Sequence, residues 1–229
     1  MPTIRIVKSW TSPDLLRQTP GGAGRWGDCR FTLDPVAEAD YVVVLNHATA
    51  PVEVRVPPAN VWALIQEPPI PQYRWLEHGF PHYRRIFAQN PALRDPRIVR
   101  SHGALPWHVG RDLDTLVSTP VPEKHRVLSW ITSNRREKPG HRRRMRFLER
   151  LQRSVPFDLF GRGFTPLADK WDGLAPYRYA LAIENHAVPH YWTEKVADCF
   201  LAWTMPLYFG AENLSAYFPA ESFVWIDLA

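Results

Sequence analysis

The chain has 229 residues, 45% hydrophobic and 22% charged, which fits a globular protein with one domain or two small ones. Its net charge of +5 favours an anionic partner such as a phosphorylated small molecule, nucleic acid or an acidic membrane surface. No signal-peptide pattern opens the chain, no apolar run reaches the ~18 residues of a membrane-spanning helix, and the two cysteines lack zinc-ligand spacing. We therefore expect a soluble protein of a reducing compartment, without a metal site or a disulfide framework.

Apolar runs of strand length recur through the first half of the chain. The runs at 41–45 and 60–66 are continuous, which is typical of parallel strands, and the alternating run at 3–7 predicts an opening strand. Shorter strands are predicted at 30–33, 85–89 and 98–100, and helices at 13–16, 73–78 and 113–117. The proline-rich polar segment 118–125 then predicts a linker.

The second half alternates strands and helices. Strands are predicted at 126–131, 157–160, 179–183, 205–209 and 223–228. Amphipathic helices are predicted at 140–151 and 196–203, where apolar residues recur at helical spacing. This alternation predicts an α/β protein with two doubly wound units, residues 1–117 and 126–229. No helix is predicted after the last strand, so a closing C-terminal helix is expected to be absent.

Polar residues cluster where the strand at 179–183 ends and the next helix begins. They are Glu184, Asn185, Tyr191, Thr193, Glu194 and Lys195. In an open α/β sheet, ligands bind beyond the carboxyl ends of the strands. Thr193 can cap the helix, and Lys195 opposes the helix dipole unless it faces an anion. The segment therefore predicts an anion site, although a solvated lysine after an ordinary turn also fits the local sequence.

Two other charged features are ambiguous. Glu67 ends the apolar run at 60–66, and the prolines after it hold the chain extended, which suits a general base at the mouth of a cleft but also an ordinary surface glutamate. The stretch 135–146 contains seven Lys and Arg residues and a single acidic residue, Glu137. Such a run is either the solvated side of a helix or an anion-binding surface. No nucleic-acid partner is expected, because no recognised binding module surrounds this run. A peripheral contact of 135–146 with a membrane stays open, and so does the alternative of a basic protein that binds a polyanion or a membrane surface through this run.

Together these segments resemble the family 10 glycosyltransferases, the α-1,3/1,4-fucosyltransferases. That family pairs a strand ending in Glu-Asn with a following Tyr-x-Thr-Glu-Lys and a later apolar segment that contains Pro and ends in Gly. Here the corresponding sequence is AIENHAVPHYWTEKVADCFLAWTMPLYFG, followed by SFVWID. LSWITSN, PFDLFGRG and WALIQEPP resemble further family segments. His186 departs from the serine that usually follows Glu-Asn.

The resemblance implies a B-type glycosyltransferase fold, in which two Rossmann-like domains face a cleft, with the acceptor side at 1–117 and the donor side at 126–229. It implies inverting transfer of fucose from GDP-fucose to a hydroxyl of a glycan acceptor, in α-1,3 linkage to an N-acetylglucosamine- or glucose-type residue of a glycoprotein or lipopolysaccharide. No obligate cofactor is implied. The alternatives are a transferase using another nucleotide sugar and a non-catalytic GDP-sugar-binding fragment.

The resemblance also assigns roles to individual residues. Glu67 is the implied base. Arg144 falls where the family places a phosphate-binding arginine, three residues before Phe147. The implied donor-binding residues are Ser133, Asn134, Arg144, Glu184, Asn185, Tyr191, Thr193, Glu194 and Lys195. With neither signal peptide nor membrane span in the sequence, we expect a cytoplasmic protein, soluble or peripheral at the inner membrane surface.

Overall fold

In the computed structural model, which describes residues 1–229, the chain folds as two α/β units. The first comprises Met1–Pro106 and Arg111–Val117, and the second comprises Trp107–Gly110 and Ser118–Ala229. Each unit contains one sheet of parallel strands, apart from a single antiparallel pair in the first, so the predicted α/β class is confirmed. None of the helices is both long and apolar enough to span a membrane.

The first unit contains a seven-stranded sheet. Its strands are β1 (Thr3–Lys8), β2 (Arg25–Trp26), β3 (Cys29–Thr32), β4 (Tyr41–Leu45), β5 (Val61–Leu64), β6 (Arg85–Ala88) and β7 (Ile98–Arg100). They lie in the order β2-β3-β1-β4-β5-β6-β7, and only β2 and β3 are antiparallel. Val42 and Val44 of β4 pack with Ala63 and Ile86 in a buried core. Because β5 ends at Leu64, Glu67 lies just beyond the carboxyl end of a central strand.

Only one of the three helices predicted in this unit forms as an α-helix. The helix predicted at 73–78 is instead a 3-10 helix, Pro71–His82, which Pro71 opens and which contains Pro81. The helix predicted at 13–16 is wrong, because only the short 3-10 turn Leu16–Gln18 forms there. The helix predicted at 113–117 is present as α1 (Leu113–Ser118).

The second unit contains a five-stranded parallel sheet and two helices. Its strands are β8 (Arg126–Ile131), β9 (Asp158–Phe160), β10 (Tyr177–Ile183), β11 (Met205–Phe209) and β12 (Val224–Trp225), in the order β12-β11-β10-β8-β9. Helix α2 (Pro139–Leu151) follows β8, and α3 (Glu194–Leu201) follows β10. The apolar side of α2 packs Met145 and Leu148 against Trp130, Leu181 and Ile183. The carboxyl ends of β8 and β10 therefore each lead to the start of a helix.

The last predicted strand, 223–228, is mostly not a strand. Only Val224–Trp225 pairs with β11, and the Ile226 N–H donates to the Tyr208 carbonyl at 3.0 Å. The chain then leaves the sheet, because Leu228 is buried in the core and its carbonyl accepts a hydrogen bond from Arg150 at 2.5 Å.

The segment 118–125, predicted as a linker, is counted within the second unit, where Lys124 fixes it. The Lys124 ammonium donates to the carbonyls of Ala175 and Ala202, both at 2.7 Å, and to the Thr204 hydroxyl at 3.1 Å. Burial lowers the pKa of Lys124 to about 8. The side chain therefore ties the start of the unit to the segments before β10 and before β11.

We expect Lys124→Met to lower the free energy of unfolding of the second unit by roughly 2–3 kcal/mol, because it keeps the length of the side chain but leaves two carbonyls without their charged donor. Urea denaturation followed by circular dichroism measures this loss. Glu123→Ala, at an exposed neighbouring position, should change the unfolding free energy by less than about 0.5 kcal/mol. Equal stabilities of the two variants would contradict the role of Lys124.

Candidate active site

Loops and helix starts converge at the carboxyl ends of β8, β9 and β10. A Cβ on Gly140, in the first turn of α2, would overlap the Asn185 carbonyl oxygen, so glycine allows α2 to start directly against the loop after β10. A Cβ on Gly163 would overlap the Asn134 amide, and the Asn134 N–H donates to the Arg162 carbonyl at 3.0 Å. The loop that carries Ser133 and Asn134 is thus fixed against the glycine loop 161–163 that follows β9.

Glu184 is the anchor of the segment that follows β10. Its side chain has no exposed surface, and its Oε1 accepts from both the N–H and the hydroxyl of Thr193 at 2.7 Å. Its Oε2 lies 3.2 Å from the Lys195 ammonium. Burial raises the pKa of the Glu184 carboxyl, and the charge of Lys195 acts against this rise. Glu184, which is predicted to bind the donor, uses both of its oxygens to hold Thr193 and Lys195 in place.

Thr193 caps α3, as its residue type predicts. Its hydroxyl accepts from the Lys195 N–H at 3.4 Å, and it also contacts the Lys195 ammonium at 3.0 Å. This contact holds the Lys195 ammonium at the start of α3, so the positive charge lies close to the N–H groups of the first helical turn. This arrangement suits an anion.

A partly buried series of alternating charges follows from Glu184, and we call it the charge ladder; its members are Glu184, Lys195, Glu194, Lys170 and Asp198. Glu194 lies 3.4 Å from Lys195 on one side and 3.6 Å from Lys170 on the other, and Lys170 lies 2.8 Å from Asp198. Burial alone would raise the pKa of Glu194, but Lys195 and Lys170 hold it well below its usual range. The opposite charges likewise outweigh burial for both lysines and raise their pKa values. Glu194, Lys170 and Lys195 are therefore charged at neutral pH.

Three residues at this ladder are absent from the sequence-based predictions: Lys170, Asp198 and His108. The His108 imidazole Nδ1 lies 3.9 Å from Glu194 Oε1, and burial lowers the pKa of this imidazole. Asp198 follows Glu194 by four positions, so the two share a helix face, and this spacing could have drawn attention to Asp198. No pattern in the sequence marks Lys170 or His108.

Arg144 is a buried cation near the ladder without an ion pair of its own. It lies on the inner side of α2, is 5% exposed, and its Nε has no hydrogen-bond partner. Burial lowers the pKa of the guanidinium, while the negative charge of Glu184 acts against this effect. An arginine buried with an unsatisfied group is costly unless an additional anion completes its surroundings.

Further residues that are predicted to bind the donor lie in the loops near Arg144 and the charge ladder. Tyr191 is 3% exposed in the loop before α3, and the Asn185 side-chain oxygen is buried without a hydrogen-bond partner. His190 fixes the loop, because its N–H donates to Asn213 at 2.7 Å and its Nδ1 lies 2.6 Å from the Tyr217 hydroxyl. His186, at the position of the family's serine, is half-buried, and burial lowers the pKa of its imidazole.

Glu67 lies in the other unit, beside a small cavity. The cavity has a volume of about 30 Å³, and its walls include Glu67, Glu77 and Tyr73. The Glu67 carbonyl accepts from the Gln89 amide at 2.9 Å, which fixes the backbone next to Pro68. The position of Glu67 after β5 is therefore well defined within the first unit.

The basic run 135–146 divides between two environments. Arg144 and His141 are buried on the inner side of α2, and His141 lies 3.1 Å from Glu137. Five arginines of the run are exposed: Arg135, Arg136, Arg142, Arg143 and Arg146. The interpretation as the solvated side of a helix therefore fits the five exposed arginines, and the anion-binding interpretation stays a prediction for Arg144.

We expect Thr193→Val to lower the free energy of unfolding by roughly 2–3 kcal/mol, because valine keeps the shape of threonine but removes the hydroxyl from a buried carboxylate. Thr193→Ser keeps the hydroxyl and should cost less than about 1 kcal/mol. Urea denaturation of both variants is the measurement. A valine variant as stable as the serine variant would show that the hydroxyl does not support Glu184.

The fold and this site together indicate a class of protein. A parallel α/β unit with positive side chains and a helix start beyond its strand ends has the features of sites at which phosphorylated ligands bind in other proteins. Residues 121–228 match the family described as Glycosyltransferase family 10 (fucosyltransferase) C-term.

Similar proteins support the same family. Alpha-(1,3)-fucosyltransferase 7 of Homo sapiens is 31% identical over 248 residues, which cover 99% of this chain and 68% of that protein. The Homo sapiens 3-galactosyl-N-acetylglucosaminide 4-alpha-L-fucosyltransferase FUT3 is 28% identical over 217 residues, which cover 87% of this chain and 57% of that protein. A crystal structure of an alpha1,3-fucosyltransferase with GDP-fucose shares the fold at a TM-score of 0.53 and 16% identity, over 99% of this chain and 75% of that one.

The chain belongs to glycosyltransferase family 10, the fucosyltransferases, as the sequence motifs indicate. It spans about two thirds of the first of these relatives and less of the second.

Proposed function

We propose that the protein is an inverting fucosyltransferase that moves fucose from GDP-fucose to a hydroxyl of a glycan acceptor. The observation that carries this proposal is a pair of cations on the two helices that follow β8 and β10: Arg144 on α2, buried without an ion pair, and Lys195 at the start of α3, where the charge of Arg144 acts on it. The names of the relatives and of the solved structure support fucose as the sugar and GDP as the nucleotide. An α-1,3 linkage to an N-acetylglucosamine- or glucose-type residue fits the first relative.

In the proposed mechanism, the acceptor oxygen attacks the anomeric carbon on the face opposite the diphosphate. A bond forms between this oxygen and the carbon, the bond from the carbon to the phosphate oxygen breaks, and GDP departs with the electron pair. Glu67 takes the proton of the acceptor hydroxyl. Lys195, Arg144 and the N–H groups at the start of α3 stabilise the charge on the departing GDP, a role worth about 3–4 kcal/mol for a single donor in other enzymes.

We propose that the positive side chains supply this stabilisation without an obligate metal ion. The ladder places Lys195 and Lys170 within 3.6 Å of Glu194, and Arg144 adds a third positive charge. The walls of the donor site would then include Asn185, Tyr191, Ser133 and Asn134. The reaction should then proceed at an unchanged rate in excess EDTA, and a rate that returns only on addition of Mg²⁺ or Mn²⁺ would contradict this part of the proposal.

The test of the function is incubation with GDP-fucose and a panel of acceptors that contain galactose and N-acetylglucosamine, with GDP release as the readout. We expect release that depends on acceptor, and product analysis should give the linkage. Competition with UDP- and ADP-sugars identifies the nucleotide, because only GDP compounds should inhibit. Stabilisation by GDP without any transfer would contradict an enzyme and support a non-catalytic binding protein.

We further propose that the exposed arginines of 135–146 give a cytoplasmic protein a peripheral contact with an acidic membrane surface. The five exposed arginines of the run support this, because clustered cations attract anionic lipids. Co-sedimentation with vesicles that contain phosphatidylserine should decrease as salt rises, and neutral vesicles should not bind. Equal binding to both vesicle types would contradict an electrostatic contact.

A further inference from the structure

The short segment Trp107–Gly110 belongs to the second unit, although the residues on both sides of it belong to the first. Two carboxylates hold its backbone. Asp198 Oδ1 accepts from the N–H groups of His108 at 2.7 Å and Val109 at 3.2 Å. Asp169 Oδ1 accepts from the Gly110 N–H at 2.7 Å. Three consecutive N–H groups are thus fixed, and we call this segment the 107–110 strap.

The attachment of the strap is rigid. The Asp198 side chain is 2% exposed and pairs with Lys170 at 2.8 Å, and the Val109 side chain is fully buried. A Cβ on Gly110 would come within 2.6 Å of Asp169 Oδ2, so glycine is what permits this close approach. A buried carboxylate is stable only when hydrogen-bond donors surround it. The N–H groups of the strap therefore stabilise Asp198, and Asp198 in turn fixes the position of the strap.

The strap brings the His108 imidazole to the candidate donor site. The imidazole is 38% exposed, lies 3.9 Å from Glu194, and lines a pocket of about 710 Å³ together with Gly110 and Lys170. Another wall of the pocket is the glycine loop 161–163, which lies against Asn134. The pocket therefore adjoins predicted donor-binding residues on two sides.

We propose that His108 is a donor-binding residue that contacts a bound nucleoside diphosphate, and that Asp198 is the positioning residue that places it there through the strap. The proposal rests on the proposed function, since it requires a GDP-type ligand. A nucleotide whose phosphates lie at Lys195 and the start of α3 would extend past Glu194 into this pocket. A neutral imidazole offers one hydrogen-bond donor and one acceptor to such a ligand.

The first test is GDP binding by isothermal titration calorimetry. His108→Ala should weaken GDP at least tenfold, and His108→Gln should restore part of the affinity, because an amide also offers a donor and an acceptor. His125→Ala, at an exposed histidine outside the pocket, is the matched control and should bind GDP as the wild type does. A His108→Ala variant that binds GDP as tightly as the control would overturn the assignment.

The second test separates positioning from a merely structural role of Asp198. Asp198→Asn should weaken GDP several-fold in the presence of His108 and less than twofold in the His108→Ala background, because both changes remove the same contact. If Asp198→Asn weakened GDP binding by the same factor with and without His108, the positioning role of Asp198 would be overturned. A wild-type protein that binds no GDP would remove the proposed function and this inference together, whereas unchanged binding by the variants would remove the inference alone.

Discussion

Lys195→Ala is expected to weaken GDP binding about a hundredfold, which corresponds to roughly 2.8 kcal/mol. The ammonium lies at the start of α3, between Glu184 at 3.2 Å and Glu194 at 3.4 Å, and 21% of the Lys195 side chain is exposed to solvent. Its removal takes away a charge-assisted contact to the diphosphate. It also leaves the carboxylate of Glu184 buried without a cation. Calorimetric titration with GDP and with GDP-fucose measures the loss.

A control must separate lost binding from lost stability, because the same variant disturbs the ladder. The double variant Lys195→Met with Glu184→Gln removes the buried negative charge together with the cation, and should recover much of the unfolding free energy. Its GDP affinity should remain as low as that of Lys195→Ala. Recovery of both properties would mean that Lys195 supports the fold and does not bind the donor.

Glu67→Gln is expected to reduce kcat by roughly 10²–10⁴-fold and to leave GDP-fucose affinity unchanged, because a general base contributes to turnover and not to donor binding. The change keeps the size of the side chain, and the backbone at this position is held by Gln89 and followed by Pro68. Steady-state kinetics with saturating acceptor, together with donor titration, separates the two effects.

Glu77→Gln is the matched control, since Glu77 is a second carboxylate at the same cavity of the first unit. It should leave kcat within about twofold of the wild type. If Glu77→Gln abolished turnover while Glu67→Gln did not, the base would be misassigned. A loss of donor affinity in Glu67→Gln would instead point to a role in binding.

The parallel strands could be predicted because their signal is local. Continuous apolar runs such as 41–45 and 205–209 are typical of parallel strands that are covered on both faces, and the structure has β4 and β11 there. The start of α3 was also predictable, because Thr193 is a helix-capping residue followed by an amphipathic run. Element boundaries that depend on prolines or on distant contacts were not predicted. The helix expected at 73–78 is the longer 3-10 helix Pro71–His82, and the strand expected at 223–228 is only Val224–Trp225.

The candidate site could be predicted only where its residues are close in sequence. Glu184, Thr193 and Lys195 lie within twelve positions, and their joint pattern marks an anion site. The partnership of His108 with Asp198 spans 90 residues and depends on backbone N–H groups, which carry no side-chain signature. For Glu184, the sequence indicated the right place but not that its oxygens are turned inward, because burial is a property of the folded chain.

The charge ladder from Glu184 to Asp198 has a practical consequence for work at high ionic strength. Mobile ions at 1 M screen exposed charges over about 3 Å, but they act much less on pairs shielded from solvent. Concentrated salt should therefore dissociate adventitious polyanions from the exposed arginines of α2. The ion pairs of Lys195 and Lys170 in the charge ladder should persist under the same conditions. Purification in concentrated salt should yield protein that is free of contaminating nucleic acid and that binds GDP normally after dilution.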